Sequence, residues 1–216
     1  MEQGPFFASR EAPVLSIRMT EDEWMDGALQ FTRTLGLRWA SVTAPLKQLA
    51  FESCSIRDSA AVELAAINTL RWNEDRVAWE GTNTDRQGFS ILVELARAEA
   101  PLGAVAVWGG GGTLNVVKSV LPEAEFFSLR TGENRVEGSQ AAANFQPETL
   151  VWAVGRTKSG VGEVPANWKP RLVIDLNYSE DSPGREYAVK VGCRYISGLA
   201  MFRAQAEGQR RFWESP

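Results

Sequence analysis

Residues 104–121 constrain the fold more than any other stretch of the chain. Ala104-Val-Ala-Val-Trp108 is an apolar run, four consecutive glycines follow it, and an apolar helix is predicted from Thr113 to Leu121. A short strand buried on both faces, a tight turn and a helix start are the parts of a parallel α/β sheet. Residues without Cβ let backbone N–H groups approach an anion, and a helix N-terminus favours negative charge. The turn is therefore a candidate pyrophosphate site. The strict G-x-G-x-x-G pattern is not met, because Gly109 and Gly111 supply two glycines while the third position falls near Asn115. A plain tight turn in an α/β sheet is the alternative reading.

Further strands are predicted at Glu125–Leu129, Leu150–Val154 and Leu172–Asp175, with a last helix over Gly198–Trp213. In the first half, Val14–Ile17 reads as a strand, and Thr20 precedes acidic first-turn residues as an N-cap should. Trp39–Thr43 reads as a strand and residues 60–70 as a helix. Arg76–Trp79 is the returning strand of a hairpin, Gly81–Asp85 a polar loop, and a helix begins near Arg86. The expected architecture is α/β with two lobes and a cleft between them.

The chain has 216 residues, 44% hydrophobic and 23% charged, with a net charge of -4, which excludes disordered and fibrous classes and gives no global attraction to nucleic acid or anionic membranes. The longest uncharged run, Ala100 to Val117, contains Pro101 and five glycines and does not span a membrane. Histidine is absent, so Ser-His-Asp and Cys-His hydrolysis and His-based zinc sites are excluded. Cys54 and Cys193 form no CxxC pair, so no metal site is expected, and a reduced, cytoplasmic setting is the natural reading.

After the strand that follows the glycine turn come Arg130 and Thr131, with Arg135 close behind. An acidic residue at such a place binds the ribose hydroxyl of NAD, whereas an arginine accommodates the 2′-phosphate of NADP, and this reading favours NADP. A hydride-transfer enzyme without histidine must move its proton through Lys, Tyr, Asp or Glu. Lys47 and Asp85 are candidates for such a pair, although surface residues of both types are common and spacing alone does not pair them.

Taken together the motifs resemble the shikimate dehydrogenase family. Val42-Thr-Ala-Pro-Leu-Lys47 resembles its V-T-x-P-x-K, Ala66-Ile-Asn-Thr-Leu70 its A-x-N-T-L, and Gly81-Thr-Asn-Thr-Asp85-Arg-Gln-Gly-Phe89 its G-x-N-T-D-x-x-G-F. The glycine turn, Arg130-Thr131, Asp175-Leu-Asn-Tyr178 and Gly198-Leu-Ala-Met201-Phe-Arg-Ala-Gln205-Ala206 follow in family order, so the resemblance covers roughly residues 25 to 214. It implies an N-terminal α/β substrate-binding lobe over 1–88, a Rossmann-like NADP-binding domain over 89–197, and a C-terminal helix over 198–216 that returns to the first lobe. It further implies NADP-dependent reduction of 3-dehydroshikimate to shikimate, on the route to chorismate, by a cytoplasmic monomer or homodimer. Lys47 and Asp85 would be the catalytic pair. Thr43, Asn68, Tyr178 and Gln205 would bind substrate. Gly109, Gly110, Gly111, Gly112, Arg130, Thr131 and Gly198 would bind the cofactor.

The sequence departs from the family at several places. The S-x-S-P loop that binds the substrate carboxylate in the family has no match, and Met1–Gly4 looks like the end of the helix after it. This implies either a start placed too far downstream or a shortened relative. Ser41 and Leu129 replace asparagines of the family motifs, Val154-Gly-Arg-Thr157 replaces N-x-T, and Ser179-Glu180 follows Tyr178 in place of Asn-Pro. Two alternatives follow: a paralogue acting on another cyclic hydroxy acid such as quinate, and a non-catalytic nucleotide-binding relative.

Overall fold

The computed structural model describes residues 3–10, 14–135, 144–155 and 163–215. The chain divides into two units, Met1–Gln87 with Arg203–Pro216, and Gly88–Phe202.

In the first unit the elements are α1 (Gly4–Ala8), α2 (Glu21–Met25), α3 (Ala28–Thr34), β1 (Trp39–Ser41), α4 (Lys47–Ser53), β2 (Ile56–Arg57), α5 (Ser59–Leu64), β3 (Thr69–Asn73) and β4 (Ala78–Thr82). Thr20 caps α2 through a reciprocal pair: its side chain accepts from the Glu23 backbone, and the Glu23 carboxylate accepts from Thr20. The chain breaks between α2 and α3 at Gly27, whose φ of +118° only glycine adopts readily. Four strands form one sheet in the order β1-β3-β4-β2. β1 and β4 flank β3 antiparallel, with Ser41 opposite Thr69 and Trp72 opposite Trp79, while β2 runs parallel to β4.

Two expectations are corrected here. Val14–Ile17 pairs with no strand, and Val14, Leu15 and Ile17 are exposed. The helix read over residues 60–70 ends at Leu64, because Ala65 turns left-handed at φ +48°, and Thr69 onward becomes sheet. That sheet covers a core of Trp24, Ala28, Val42, Ala50, Cys54, Ala61, Ile67, Leu70 and Trp79. Within this core the Cys54 thiol donates to the Ile56 and Trp79 carbonyls, and burial pushes its pKa up to about 11.

The chain passes into the second unit within α6 (Asp85–Glu99) and continues through β5 (Val105–Gly109), α7 (Leu114–Val120), β6 (Glu125–Phe127), β7 (Thr149–Ala153), β8 (Leu172–Asp175), α8 (Pro183–Val191) and β9 (Arg194–Ile196) to α9 (Leu199–Glu214), which belongs to the first unit from Arg203 onward. A single 3-10 turn, Gly111–Thr113, leads into α7. The five strands are all parallel, in the order β6-β5-β7-β8-β9. Their interior strands are apolar because both faces are covered: every residue of β5 and of β8 is buried. Phe127, Trp108, Trp152 and Asp175 stand in register across the sheet, and Trp168 packs edge-on to Trp108 and Phe127. Strand order reverses at β5, the first strand of this unit. In open α/β sheets that reversal opens a crevice beyond the carboxyl ends of the strands, where the glycine turn lies.

Candidate active site

In the first unit, Lys47 opens α4 and Asp85 opens α6. The turn that delivers Lys47 closes with a Leu46 N–H to Thr43 carbonyl bond of 3.0 Å, and the Lys47 carbonyl accepts from the Ile67 N–H at 2.9 Å. Asp85 is set by Asn83, whose Oδ1 accepts its N–H at 2.8 Å. Lys47 Nζ donates to Asp85 Oδ2 at 2.7 Å. The other oxygen, Oδ1, accepts from Asn68 Nδ2 at 2.9 Å and from Gln205 Nε2 at 2.8 Å.

The orientation of the Asn68 amide is not free to reverse. Its Oδ1 accepts the Thr69 hydroxyl at 2.7 Å and the Thr84 N–H at 3.1 Å, and a backbone N–H cannot face an amide NH₂. Only donors therefore surround the Asp85 carboxylate, whose side chain is 5% exposed against 21% for Lys47. A buried carboxylate is tolerable when paired and hydrogen-bonded in this way. An ammonium carries three N–H donors. Among the described residues Asp85 engages one of them, which leaves donors for an incoming oxygen.

The remaining predicted substrate residues lie differently. Thr43 is exposed on the turn before Lys47. Tyr178 belongs to the second unit, follows β8 and is 55% exposed, with its ring stacked on Phe202 at 4.4 Å.

The predicted cofactor residues all fall in the second unit. Gly109 has φ +99°, and a Cβ there would lie 2.8 Å from the Ala153 carbonyl oxygen, so the close approach of β5 to β7 requires glycine. Gly110 has φ +126° and donates to the same carbonyl at 3.1 Å. Gly111 and Gly112 are exposed, and nothing lies within 4 Å of a Cβ placed on Gly112. The packing therefore has no need of glycine at 112, whereas an anion approaching the backbone would. Arg130 and Thr131 are exposed on a turn in which Ser128 Oγ accepts both of their N–H groups, at 3.3 and 3.5 Å. Gly198 has a packing reason of its own, since a Cβ there would sit 2.6 Å from the Leu176 carbonyl oxygen. Arg156 and Thr157 lie outside the described residues.

One buried group, recognised as a motif residue, was given no role from the sequence. The fully buried Asp175 carboxylate accepts from Ser182 Oγ, from the Tyr195 hydroxyl at 3.1 Å, and from the backbone and side chain of Asn177 at 2.9 and 2.8 Å. Asn177 also donates to the Val154 carbonyl at 2.8 Å, so this carboxylate ties together the ends of β7 and β8. Burial, followed by the Asp175 charge, raises the Tyr195 pKa. Among the described residues no group of three or more Cys, Asp or Glu side chains could hold a metal. No helix among them is long and apolar enough to cross a membrane.

Comparison with known proteins gives consistent relatives. A shikimate dehydrogenase (NADP(+)) of Moorella thermoacetica is 30% identical over 217 residues, covering 86% of this chain and 72% of that one. One from Prochlorococcus marinus is 27% identical over 226 residues, covering 89% and 78%. The crystal structure of shikimate dehydrogenase from Aquifex aeolicus superposes with a TM-score of 0.77 at 19% identity, covering 99% of this chain and 86% of that one. No family model matches the chain.

Proposed function

This chain belongs to the shikimate dehydrogenase family, and we propose that it catalyses the NADP-dependent, reversible reduction of 3-dehydroshikimate to shikimate. The observation that carries this reading is the Lys47–Asp85 pair, its carboxylate buried and held by two amide donors, Asn68 and Gln205. In this reading residues 1–88 form the substrate lobe, 89–197 the NADP domain, and 198–216 a helix of the substrate lobe. The working unit is a cytoplasmic monomer or homodimer.

NADP, when bound, accepts or supplies the hydride. Gly109 to Gly112 hold its pyrophosphate, a role supported by the open side of Gly112, and the exposed Arg130 and Thr131 receive its 2′-phosphate. An arginine is suited to that phosphate because its planar fork can make two parallel hydrogen bonds. Gly198 closes the cofactor side by letting the start of α9 approach the backbone of residues 175–177.

Lys47 serves the reacting oxygen. In the reducing direction its ammonium donates a proton to the oxygen of the carbonyl as that carbon becomes a carbinol, and in the oxidising direction the neutral amine takes the proton back. Asp85 holds the lysine in place through Oδ2 and balances its charge. Asn68, Gln205, Thr43 and Tyr178 would hydrogen-bond the ring hydroxyls or the carboxylate region of the substrate. A site of this kind rejects analogues lacking a hydroxyl, because its own buried polar groups would then be left unpaired.

The test is shikimate-dependent reduction of NADP by the purified 216-residue chain, followed by the absorbance of the reduced nicotinamide. Turnover with shikimate is the expected result. Absence of turnover in a folded protein that binds NADP would refute the reading.

A further inference from the structure

The buried Asp175 carboxylate, to which the proposed reaction gives no role, closes one loop at both ends. Its Oδ1 accepts the backbone and side-chain N–H groups of Asn177 at 2.9 and 2.8 Å, and its Oδ2 accepts the Ser182 and Tyr195 hydroxyls. Ser182 in turn caps α8 by accepting the Gly184 N–H, and a Cβ on Gly184 would lie 2.6 Å from Oδ2. Residues 177 and 182 are thus fastened by one side chain, and Tyr178 is the first residue of the span between them. A fully buried carboxylate is costly unless its acceptor sites are filled, and here neutral hydroxyl and amide donors fill them.

The loop is also tied to the strand beside it and to the helix that comes later. The Leu176 N–H donates to the Trp152 carbonyl at 3.0 Å, and Asn177 Nδ2 to the Val154 carbonyl at 2.8 Å. The Asn177 carbonyl accepts the Gly198 N–H at 2.8 Å, and the Gly198 carbonyl accepts the Phe202 N–H at 2.9 Å. The Phe202 ring then stacks on Tyr178, with centroids 4.4 Å and planes 21° apart. A path of hydrogen bonds and one ring contact therefore leaves Asp175 through Asn177, Gly198 and Phe202 and ends on Tyr178, all within the unit Gly88–Phe202. Among the described residues no group bonds the Tyr178 hydroxyl. Ordering an exposed aromatic side chain costs rotamer entropy, and here that cost is met before any ligand arrives.

We propose that Asp175 is the positioning residue of Tyr178: by closing the loop over 177–182 it fixes the Tyr178 ring on Phe202 and holds the unengaged hydroxyl ready for a substrate oxygen. The inference rests on the function proposed above, which gives Tyr178 to the substrate. Asp175 acts on how firmly substrate is held and moves neither hydride nor proton, so loosening the loop raises KM for shikimate and spares kcat.

The test is fluorine NMR of the full chain labelled with 3-fluorotyrosine, which enters at three positions, with the Tyr178 signal assigned by Tyr178→Phe. In wild type the Phe202 ring displaces this signal from that of free 3-fluorotyrosine. Asp175→Ala and Asn177→Ala return it to the free value. Asp175→Asn keeps it displaced, because Oδ1 still accepts from Asn177 and the Ser182 and Tyr195 hydroxyls can turn to accept from the new NH₂. In shikimate-dependent NADP reduction, Asn177→Ala raises KM about three- to tenfold, the loss expected for one neutral hydrogen bond. Tyr178→Phe does the same, and Asn177→Ala costs nothing further in that background. A Tyr178 signal unmoved in Asn177→Ala would overturn the proposal, as would KM losses that multiply in the double variant. The two readings fail separately. A wild type without turnover refutes the proposed reaction, while the fluorine signal still decides whether the Asp175 loop fixes the ring.

Discussion

The donor-only surroundings of Asp85 make a quantitative prediction about Lys47→Met, Asp85→Asn and the double variant. In Lys47→Met the carboxylate keeps two partners, Asn68 at 2.9 Å and Gln205 at 2.8 Å. In Asp85→Asn one oxygen becomes an NH₂, which must point either at the Lys47 ammonium or at the two amide donors. Either choice sets donor against donor and leaves buried N–H groups unpaired, at a cost of about 1–3 kcal/mol. Asp85→Asn also strands the partly buried ammonium without its counter-charge. Its destabilisation, read from urea unfolding midpoints, should exceed that of Lys47→Met.

Catalysis should show the opposite asymmetry. Removing a general acid–base group costs about 10²–10⁴ in kcat, so Lys47→Met loses that factor in shikimate-dependent NADP reduction. Asp85→Asn loses nearly as much, because the lysine it positions is displaced. Since the two act as one unit, the double variant should be no slower than the slower single variant within a few-fold. Losses that multiply in the double variant would show that the two residues act independently, and the pair would no longer explain the chemistry.

Three other outcomes are expected. Arg130→Ala should weaken NADP by about tenfold or more while leaving NAD nearly unchanged, as expected for a charge-assisted phosphate contact; equal losses measured by fluorescence titration would remove Arg130 as the selector. Val77, 72% exposed with φ +52° at the tip of the β3–β4 hairpin, holds a β-branched residue where the left-handed conformation costs roughly 1–2 kcal/mol, so Val77→Gly should raise the unfolding midpoint in urea. For Glu80, burial acts to raise the pKa, but hydrogen bonds from Arg71 at 2.6 Å and Asn73 at 2.7 Å outweigh it, and the net shift is downward from 4.5. Its contribution to stability is therefore present above about pH 4.5 and is lost as pH falls through the lower folded value, so Glu80→Gln should destabilise at neutral pH and match wild type in strong acid.

The parallel sheet of the second unit was legible because strands covered on both faces read as apolar runs, and Val105–Trp108 and Leu172–Ile174 are such runs. β9 and α8 were not read: Arg194–Ile196 is three residues long and half-exposed, so it carries no pattern of its own. Val14–Ile17 has strand-like residues but no paired neighbour, and a strand is defined by pairing rather than by propensity. Thr69 and Leu70 were taken for the end of a helix because alanines precede them, yet the pairing of β3 with β4 outweighs that local preference. In the site, Lys47 and Asp85 were recognisable only through motif resemblance, since no spacing rule joins residues 38 positions apart. Asp175 was recognised as a motif residue, but its four hydrogen bonds come from side chains and backbone brought together by the fold.

The first unit is discontinuous in the chain: it is interrupted after Gln87 and resumes at Arg203. During synthesis Lys47, Asn68 and Asp85 leave the ribosome early, but Gln205 emerges only after the whole parallel sheet has been made. So does Trp213, whose indole N–H donates to the Leu70 carbonyl at 3.0 Å. Domains generally fold as units in order of emergence, and here the order of emergence splits one of them. The sheet of β5 to β9 can be complete while Asp85 still waits for a donor. A chain of residues 1–202 would therefore hold every strand of the parallel sheet while Asp85 lacks its Gln205 donor and the Leu70 carbonyl its Trp213 donor.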